Sequence, residues 1–351
     1  MLRTFSPKQI IYAKMVYSYN VFMSSNEKST PTEAEPRELI REETSDLLEL
    51  YKLENPSRED VKTLLEQHYA RFGRVGFNSE VDNATIDNFY TYFTEKPHEY
   101  LAAELHFIQE LLANDLNVVV EQGFTRSQAL LPKQEYQAPQ AVFLINGKRT
   151  DAKVLGNGQF GINLQNLFNK VYPGEGRTYD IKKAYDIVLN NCAHEGTHIL
   201  EEQVEHTEKG KVNWAIRGAF SEGLATFSEK SFHFLWSDDY TKDSLTTLEI
   251  IKKLNPEITD AEKKEVITHI CNMESLQKHR SHEIERTRLL LEKDNITLED
   301  FERVMDDLLV HQNGPLYYAG YSVWRKIYET EGINKVREIV LKGPKAFSEY
   351  M

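Results

Sequence analysis

Apolar residues recur every three or four positions from residue 37 to about residue 116, as in Leu101, Leu105 and Ile108. This spacing places the apolar side chains on one face of an α-helix, and Pro97 is one of the residues that would separate successive helices. The pattern therefore predicts a helical region at the start of the folded chain.

The apolar pattern changes after residue 116 to short runs of β-branched and aromatic residues. Such runs occur at Asn117–Val120 and Ala141–Ile145, and the second is followed by the turn dipeptide Asn146-Gly147. A further turn at Gly156-Asn157-Gly158 leads into Gln159–Gln165, which also favours a strand. These segments predict a small mixed or antiparallel sheet.

Helical spacing returns in the second half of the chain. Asp180 is a suitable N-cap for a long helix whose apolar stripe runs from Ile181 to Cys192, and the pattern is helical again from Trp214 onward. Thr297 has the features of a later helix start. The predicted fold class is therefore α+β, mostly helical, with a small sheet.

Three parts of the chain differ in composition and pattern. Residues 24–36 are polar and contain two prolines, which is typical of disorder, so residues 1–36 are predicted to be a disordered N-terminus. Residues 37–130 form the predicted helical N-terminal region. Residues 131–351 form a second domain, which contains most of the sheet and the long helices.

Charge and composition narrow the classes of partner. The 351 residues include 42 Lys+Arg and 55 Asp+Glu, and the resulting net charge of −13 repels a phosphate backbone. Nucleic acid is therefore not an expected partner. The sequence has no apolar run of about 18 residues and no signal-peptide pattern. We expect no membrane span and, by default, a cytoplasmic location, with non-classical secretion and the oligomeric state left open.

His194-Glu195-Gly196-Thr197-His198 matches the pattern His-Glu-x-x-His within the predicted long helix. The four-residue spacing places His194 and His198 on one helix face, where both imidazoles can bind a single zinc ion. Glu195 is offset by about 100° around the helix, so its carboxylate can act as a general base on a zinc-bound water. The alternative is a solvated helix with two unrelated histidines.

A catalytic zinc ion needs three protein ligands and an open fourth position. Glu222, on the next predicted helix after the motif, is the candidate third ligand. In another class of zinc peptidase, a glycine and a histidine close behind the motif complete the pattern. That class is excluded because Glu201 and Val204 occupy those two positions.

The motif, followed by Glu222-Gly223-Leu224-Ala225-Thr226-Phe227, resembles the gluzincin metallopeptidases. It is similar to the thermolysin-like catalytic modules of M1 aminopeptidases and clostridial collagenases, and the resemblance covers about residues 181–234. It implies that residues 131–351 form a zincin-like, two-lobed catalytic domain that holds one catalytic Zn²⁺ between the lobes. It also implies a peptide or protein substrate that pairs with an edge strand, here Gln159–Gln165.

One position departs from the thermolysin-like pattern. A carboxylate often stands four residues after the third ligand and orients a histidine, but this chain has Thr226 there. Glu229 and Glu201 are the carboxylates that could take this role instead.

The oxyanion formed during amide hydrolysis needs a donor besides the metal. Tyr317 precedes Gly320 by three residues at the start of a predicted helix, as the catalytic tyrosine does in the Tyr-x-x-Gly segment of M1 enzymes. Tyr317 is therefore the first candidate and Tyr318 the second. The alternative is that both are core aromatic residues.

Together these residues predict a zinc metallopeptidase in which His194, His198 and Glu222 bind zinc and Glu195 activates water. Two other functions stay open: a helical interaction protein with a structural or inactive zinc site, and a zinc hydrolase of small amides or esters. The presence of Glu195 favours hydrolysis, because a purely structural site has no use for that carboxylate.

Overall fold

The computed structural model describes residues 38–147, 152–174, 178–208, 210–230, 238–254, 258–310 and 314–351. The predicted disordered segment, residues 1–36, lies outside these ranges. Within them the chain is mostly helical with one small mixed sheet, which confirms the α+β class. None of the described helices has the length and apolar character needed to cross a membrane.

The described strands form a single sheet and are β1 (Ile40–Glu43), β2 (Gln140–Leu144), β3 (Ala152–Gly156) and β4 (Gln159–Asn163). The described α-helices, in chain order, are α1 (Arg58–Phe72), α2 (Asn83–Glu95), α3 (His98–Ala113), α4 (Asn117–Leu130), α5 (Leu164–Val171), α6 (Ile181–Glu201), α7 (Trp214–Glu229), α8 (Asp238–Lys253), α9 (Asp260–Cys271), α10 (Glu274–His279), α11 (Ser281–Arg288), α12 (Leu298–Met305), α13 (Pro315–Glu331), α14 (Ile333–Lys342) and α15 (Pro344–Ser348). Short 3₁₀ segments occur at Leu47–Lys52 and Leu289–Glu292, and a π-helical turn at Asp306–Val310.

The sheet has the order β1-β2-β4-β3, in which β1, β2 and β4 are parallel and β3 is antiparallel to β4. The prediction that Gln159–Gln165 forms an edge strand is therefore wrong, because β4 lies between β2 and β3 and the chain becomes helical at Leu164. The apolar pattern indicates that a strand is buried, but it does not indicate which strands lie on either side of it. The edge strands are β1 and β3.

Two other predictions of secondary structure are also wrong. Asn117–Val120, predicted as a strand, is the first turn of α4, and Ile40–Glu43, predicted as helix, is β1. In α4, Gly123 packs against α6 so closely that an added Cβ would lie 2.4 Å from Cβ of Cys192. Packing of this kind outweighs the weak strand preference of three consecutive valines.

The predicted helix starts and the second predicted turn are confirmed. Asp180 caps α6 by accepting a hydrogen bond from the backbone N–H of Lys183, and Thr297 caps α12 in the same way. Asn157 and Gly158, with φ of 53° and 70°, connect β3 to β4. Positive φ at both positions is what a two-residue hairpin turn of type I′ requires.

Helix α6 lies between two groups of buried apolar residues. One group contains residues of the N-terminal helices and the sheet, including the fully buried Phe143. The other contains residues of the C-terminal helices, including the fully buried Trp324. Val188 of α6 belongs to the first group and Leu200 to the second. The His-Glu-x-x-His motif falls between these two positions, so it lies where the two cores meet.

The sheet joins chain from both sides of the predicted domain boundary between residues 130 and 131. β1 precedes that boundary and β2 follows it, and the two strands pair in register from Ile40 opposite Ala141 to Glu43 opposite Leu144. The described part of residues 37–130 therefore contributes one strand, β1, to a sheet whose other three described strands follow residue 131.

Candidate metal centre

Helices α6 and α7 bring three potential metal ligands together. His194 and His198 lie one turn apart on α6, and Glu222 reaches them from α7. Among the described residues, they are the group of three His, Cys, Asp or Glu side chains whose ligand atoms all lie within 4.8 Å of one another. The three side chains are 15% to 27% exposed, so the cluster is sheltered and still open to solvent.

The three ligand atoms form a nearly equilateral triangle. Nε2 of His194 lies 3.3 Å from Nε2 of His198, and Oε2 of Glu222 lies 3.5 Å from the first nitrogen and 3.3 Å from the second. Ligands bound to zinc at about 2.0–2.1 Å in a tetrahedron are separated by about 3.3 Å. The triangle has the dimensions of three corners of such a tetrahedron.

Glu229 fixes the orientation of His194. Its Oε2 lies 3.2 Å from Nδ1 of His194, and its Oε1 lies 2.6 Å from Nζ of Lys230. Burial raises the pKa of Glu229, but the hydrogen bond to His194 and the charge of Lys230 outweigh burial and lower the pKa to about 2. An ionised carboxylate only accepts, so Nδ1 of His194 must carry the proton.

Ser221 fixes the orientation of His198. Its Oγ donates to Oε2 of Glu201 at 3.2 Å and lies 3.1 Å from Nδ1 of His198. Because the hydroxyl hydrogen is directed to Glu201, the oxygen must accept from Nδ1–H of His198. Both histidines therefore place a proton on Nδ1 and leave Nε2 facing the centre of the triangle.

Three acceptor atoms converging at these distances repel one another unless a cation lies between them. Burial lowers the pKa of His194, yet hydrogen bonds to Glu222 and Glu229 outweigh burial and raise it to about 10. Similar effects raise the pKa of His198, and the two histidines hold that of Glu222 well below its ordinary range. In the absence of a metal, protons must supply the positive charge, and a metal ion would displace them.

Glu195, the predicted general base, lies next to the edge of the sheet. Its carboxylate accepts a hydrogen bond from the backbone N–H of Val154 on β3. Burial raises the pKa of Glu195 against the opposing effect of His194 and His198. A carboxylate with a raised pKa is a stronger base than an exposed one, as proton abstraction from water requires.

The two tyrosine candidates occupy different surroundings. The ring of Tyr317 lies nearly parallel to that of His194, with 6.2 Å between centroids and 18° between planes, and its hydroxyl hydrogen-bonds to Glu222. Burial is the largest cause of a strongly raised pKa for Tyr317, so its hydroxyl stays protonated at neutral pH. Tyr318, the next residue on α13, is buried at 8% exposure. The structure thus brings Tyr317 to the ligand cluster.

Two glycines allow α13 to place Tyr317 beside Glu222. A Cβ added to Gly223 of α7 would lie 2.4 Å from the backbone of Gly320, and one added to Gly320 would lie 2.0 Å from the carbonyl oxygen of Ala219. Real side chains cannot occupy such distances, so the two helices cross in direct backbone contact. Gly320, the glycine of the Tyr-x-x-Gly segment, is therefore required for the packing of α13 on α7. It lies about one helical turn after Tyr317 and helps to position that tyrosine.

Sequence reasoning named Glu229 and Glu201 without choosing between them, and it missed Ser221 and Val154. The position four residues after Glu222 is Thr226, a buried residue whose Oγ1 has no hydrogen-bond partner among the described residues. Glu229 is seven residues after Glu222, two helical turns away on the same face. That spacing could have identified it, whereas Val154 comes from a distant strand.

Comparison with protein-family models, with curated proteins and with solved structures gives no match for this chain.

Proposed function

We propose that this protein is a zinc-dependent peptidase similar to the gluzincins. The observation that supports it best is the triangle of His194, His198 and Glu222, whose lone pairs are directed inward by fixed tautomers and whose edges match a tetrahedral site. The two cores that meet at α6 are compatible with the two lobes of a zincin-like domain.

The chemistry divides between the metal and the chain. A zinc ion bound to the triangle supplies a Lewis acid, which polarises the scissile carbonyl and acidifies water. Glu195 takes a proton from the attacking water and passes it to the leaving amine. Its burial and its raised pKa suit both transfers, because the group must accept a proton and then release it.

Tyr317 supplies the second donor to the developing oxyanion. Its phenol is protonated at neutral pH and, without substrate, is hydrogen-bonded to Glu222. When substrate is bound, the hydroxyl would donate to the oxygen of the scissile carbonyl instead. A donor placed opposite a Lewis acid stabilises the oxyanion from the second side.

The position of β3 favours an extended peptide as substrate. Among the described strands β3 is an edge strand, and the N–H of Val154 points to Glu195, so this edge of the sheet borders the proposed catalytic base. A peptide that pairs with β3 would lie along the cluster and bring its backbone carbonyl groups to it. This arrangement favours peptide bonds over small amides or esters.

The test is cleavage of a quenched fluorescent peptide library by the zinc-loaded protein, compared with a panel of small aryl amides and esters. The proposal predicts peptide cleavage that stops when a chelator removes zinc and returns when zinc is restored. Peptide cleavage that survives metal removal would contradict it. Hydrolysis of the small amides or esters alone would show that these compounds, and not peptides, are the substrates.

A further inference from the structure

A hydrogen-bond chain runs from the metal-facing histidine His198 to the far end of α6. Nδ1 of His198 contacts Ser221, Ser221 donates to Oε2 of Glu201 at 3.2 Å, and Oε1 of Glu201 lies 3.1 Å from Nε2 of His206. Nδ1 of His206 lies 3.0 Å from the carbonyl oxygen of Val340 on α14. We call Ser221, Glu201 and His206 the His198 support chain.

The direction of every hydrogen bond in the support chain follows from its two ends. His206 lies between the carbonyl oxygen of Val340 and the carboxylate of Glu201, and both of these groups only accept. Both ring nitrogens of His206 must therefore carry protons, which makes the ring a cation. The hydrogen bond to Glu201 raises the pKa of His206, in agreement with this protonation state.

The charge on His206 explains how Glu201 can be buried. The side chain of Glu201 is 7% exposed, and an isolated carboxylate at that depth would be costly. Glu201 is instead paired with the His206 cation through Oε1, and its Oε2 accepts the hydroxyl hydrogen of Ser221. Ser221 is then left with only its oxygen for His198, so it can accept from Nδ1–H but cannot donate to it.

We propose that Ser221, Glu201 and His206 are positioning residues that hold His198 in the tautomer and ring orientation required for zinc binding. This inference rests on the proposed zinc site and adds to it three residues that touch neither zinc nor substrate. At His194 the carboxylate of Glu229 contacts the ring directly, without a serine between them, and Lys230 is its cation. Each metal-facing ring is thus supported by a carboxylate whose own charge is neutralised.

Packing makes the support chain rigid at its outer end. The ring of His206 meets that of Phe220 edge to face, with 5.7 Å between centroids and 86° between planes. A Cβ added to Gly343 would lie 2.9 Å from Cγ of His206, so the segment after α14 closes on the ring. The C-terminal helices therefore influence the metal site through His206.

The experiment measures zinc affinity by competition with a chromophoric chelator. Ser221→Ala is expected to bind zinc about 10- to 100-fold more weakly than wild type, the range for loss of a group that orients a metal-binding histidine. Ser221→Thr keeps the hydroxyl and is expected to restore most of that loss. The visible spectrum of the Co²⁺ form should change in Ser221→Ala and return in Ser221→Thr.

Double variants separate a positioning role from mere packing between helix ends. Glu201→Gln and His206→Ala are each expected to weaken zinc binding by about three- to tenfold in the wild-type background. In the Ser221→Ala background they should cause no further loss, because Glu201 and His206 act on His198 only through Ser221. Equal losses in both backgrounds would overturn the inference.

Ser228→Ala is the matched control. Ser228 is a buried serine on the same helix, and its hydroxyl donates to the carbonyl oxygen of Ala193 on α6 and not to a metal-facing ring. It should leave zinc affinity within about twofold of wild type. Full zinc affinity in Ser221→Ala would overturn only the positioning role of the support chain. Absence of zinc binding by wild type would overturn the proposed function itself.

Discussion

Oε2 of Glu229 lies 3.2 Å from Nδ1 of His194, on the side of the ring opposite the nitrogen that faces His198 and Glu222. The carboxylate that orients His194 therefore comes from the helix that also supplies Glu222. Helix α7 thus positions both Glu222 and the acceptor that orients His194.

Glu229→Ala is expected to reduce zinc affinity by about 10- to 100-fold, because His194 loses the acceptor that fixes its tautomer. Isothermal titration with zinc, or competition with a chelator, measures the change. Glu205→Gln removes one negative charge from an exposed position close to the end of α6 and serves as the control. An equal loss in both variants would mean that net charge, and not orientation, controls affinity.

Tyr317→Phe is expected to lower kcat by about 10²- to 10³-fold with little change in KM, because the lost donor acts on the oxyanion and not on the bound substrate. Steady-state kinetics on a cleaved peptide gives both constants. Tyr318→Phe removes the hydroxyl of the other candidate. A large loss of kcat in Tyr318→Phe, with Tyr317→Phe unaffected, would reverse the assignment.

Local features of the sequence predicted the part of the site that lies on one helix. The spacing of His194 and His198, and the cap at Asp180, depend only on helical geometry, and the structure has both on α6. Glu222 is predicted from its place on the next helix after the motif and Tyr317 from a segment similar to that of M1 enzymes, and the structure brings both to the same cluster.

Contacts between distant parts of the chain could not be predicted in the same way. Val154 reaches Glu195 from β3, which is one edge strand of the sheet, and the other edge strand, β1, comes from near residue 40. The prediction of a strand at Asn117–Val120 is wrong for a related reason, because close packing of α4 on α6 outweighs the local strand preference. The pattern of apolar residues indicates which side chains are buried and whether a segment is a helix or a strand. It does not identify the element against which the segment packs.

Gly320→Ala is expected to lower the free energy of unfolding by about 1–3 kcal/mol, because its methyl group would meet the carbonyl oxygen of Ala219 where α13 crosses α7. The displaced helix should also reduce kcat through Tyr317. Denaturant unfolding measures the stability change. In Gly218→Ala, on α7, the new Cβ would meet only the flexible end of Leu316, so a neutral or slightly stabilising effect is expected.

A buried acid in the N-terminal region should make stability depend on pH. Glu104 is fully buried and accepts hydrogen bonds from the hydroxyls of Tyr51 and Tyr92 at 2.9 Å and 2.7 Å. Burial raises its pKa to about 8 despite these hydrogen bonds, from an ordinary value of 4.5. The folded protein therefore keeps this proton to a higher pH than the unfolded chain does.

The free energy of unfolding should consequently fall as pH rises from about 5 to about 8, the interval in which the unfolded chain has lost the proton and the folded protein still holds it. Glu104→Gln, which cannot ionise, should lack this contribution. Between these pH values the Tm of wild type should fall by about 2–4 °C more than that of Glu104→Gln. Glu99→Gln, at an exposed position on the same helix, should follow wild type. Parallel curves for wild type and Glu104→Gln would show that Glu104 is already ionised at pH 5.

Zinc content and peptide cleavage, measured together on wild type, Glu195→Gln and Glu222→Ala, distinguish a zinc peptidase from a protein with a structural or inactive site. We expect one zinc per chain in wild type and in Glu195→Gln, loss of zinc in Glu222→Ala, and cleavage by wild type alone, because Glu195 moves protons and does not bind the metal. Absence of zinc from wild type, or full activity in Glu195→Gln, would contradict the proposed function.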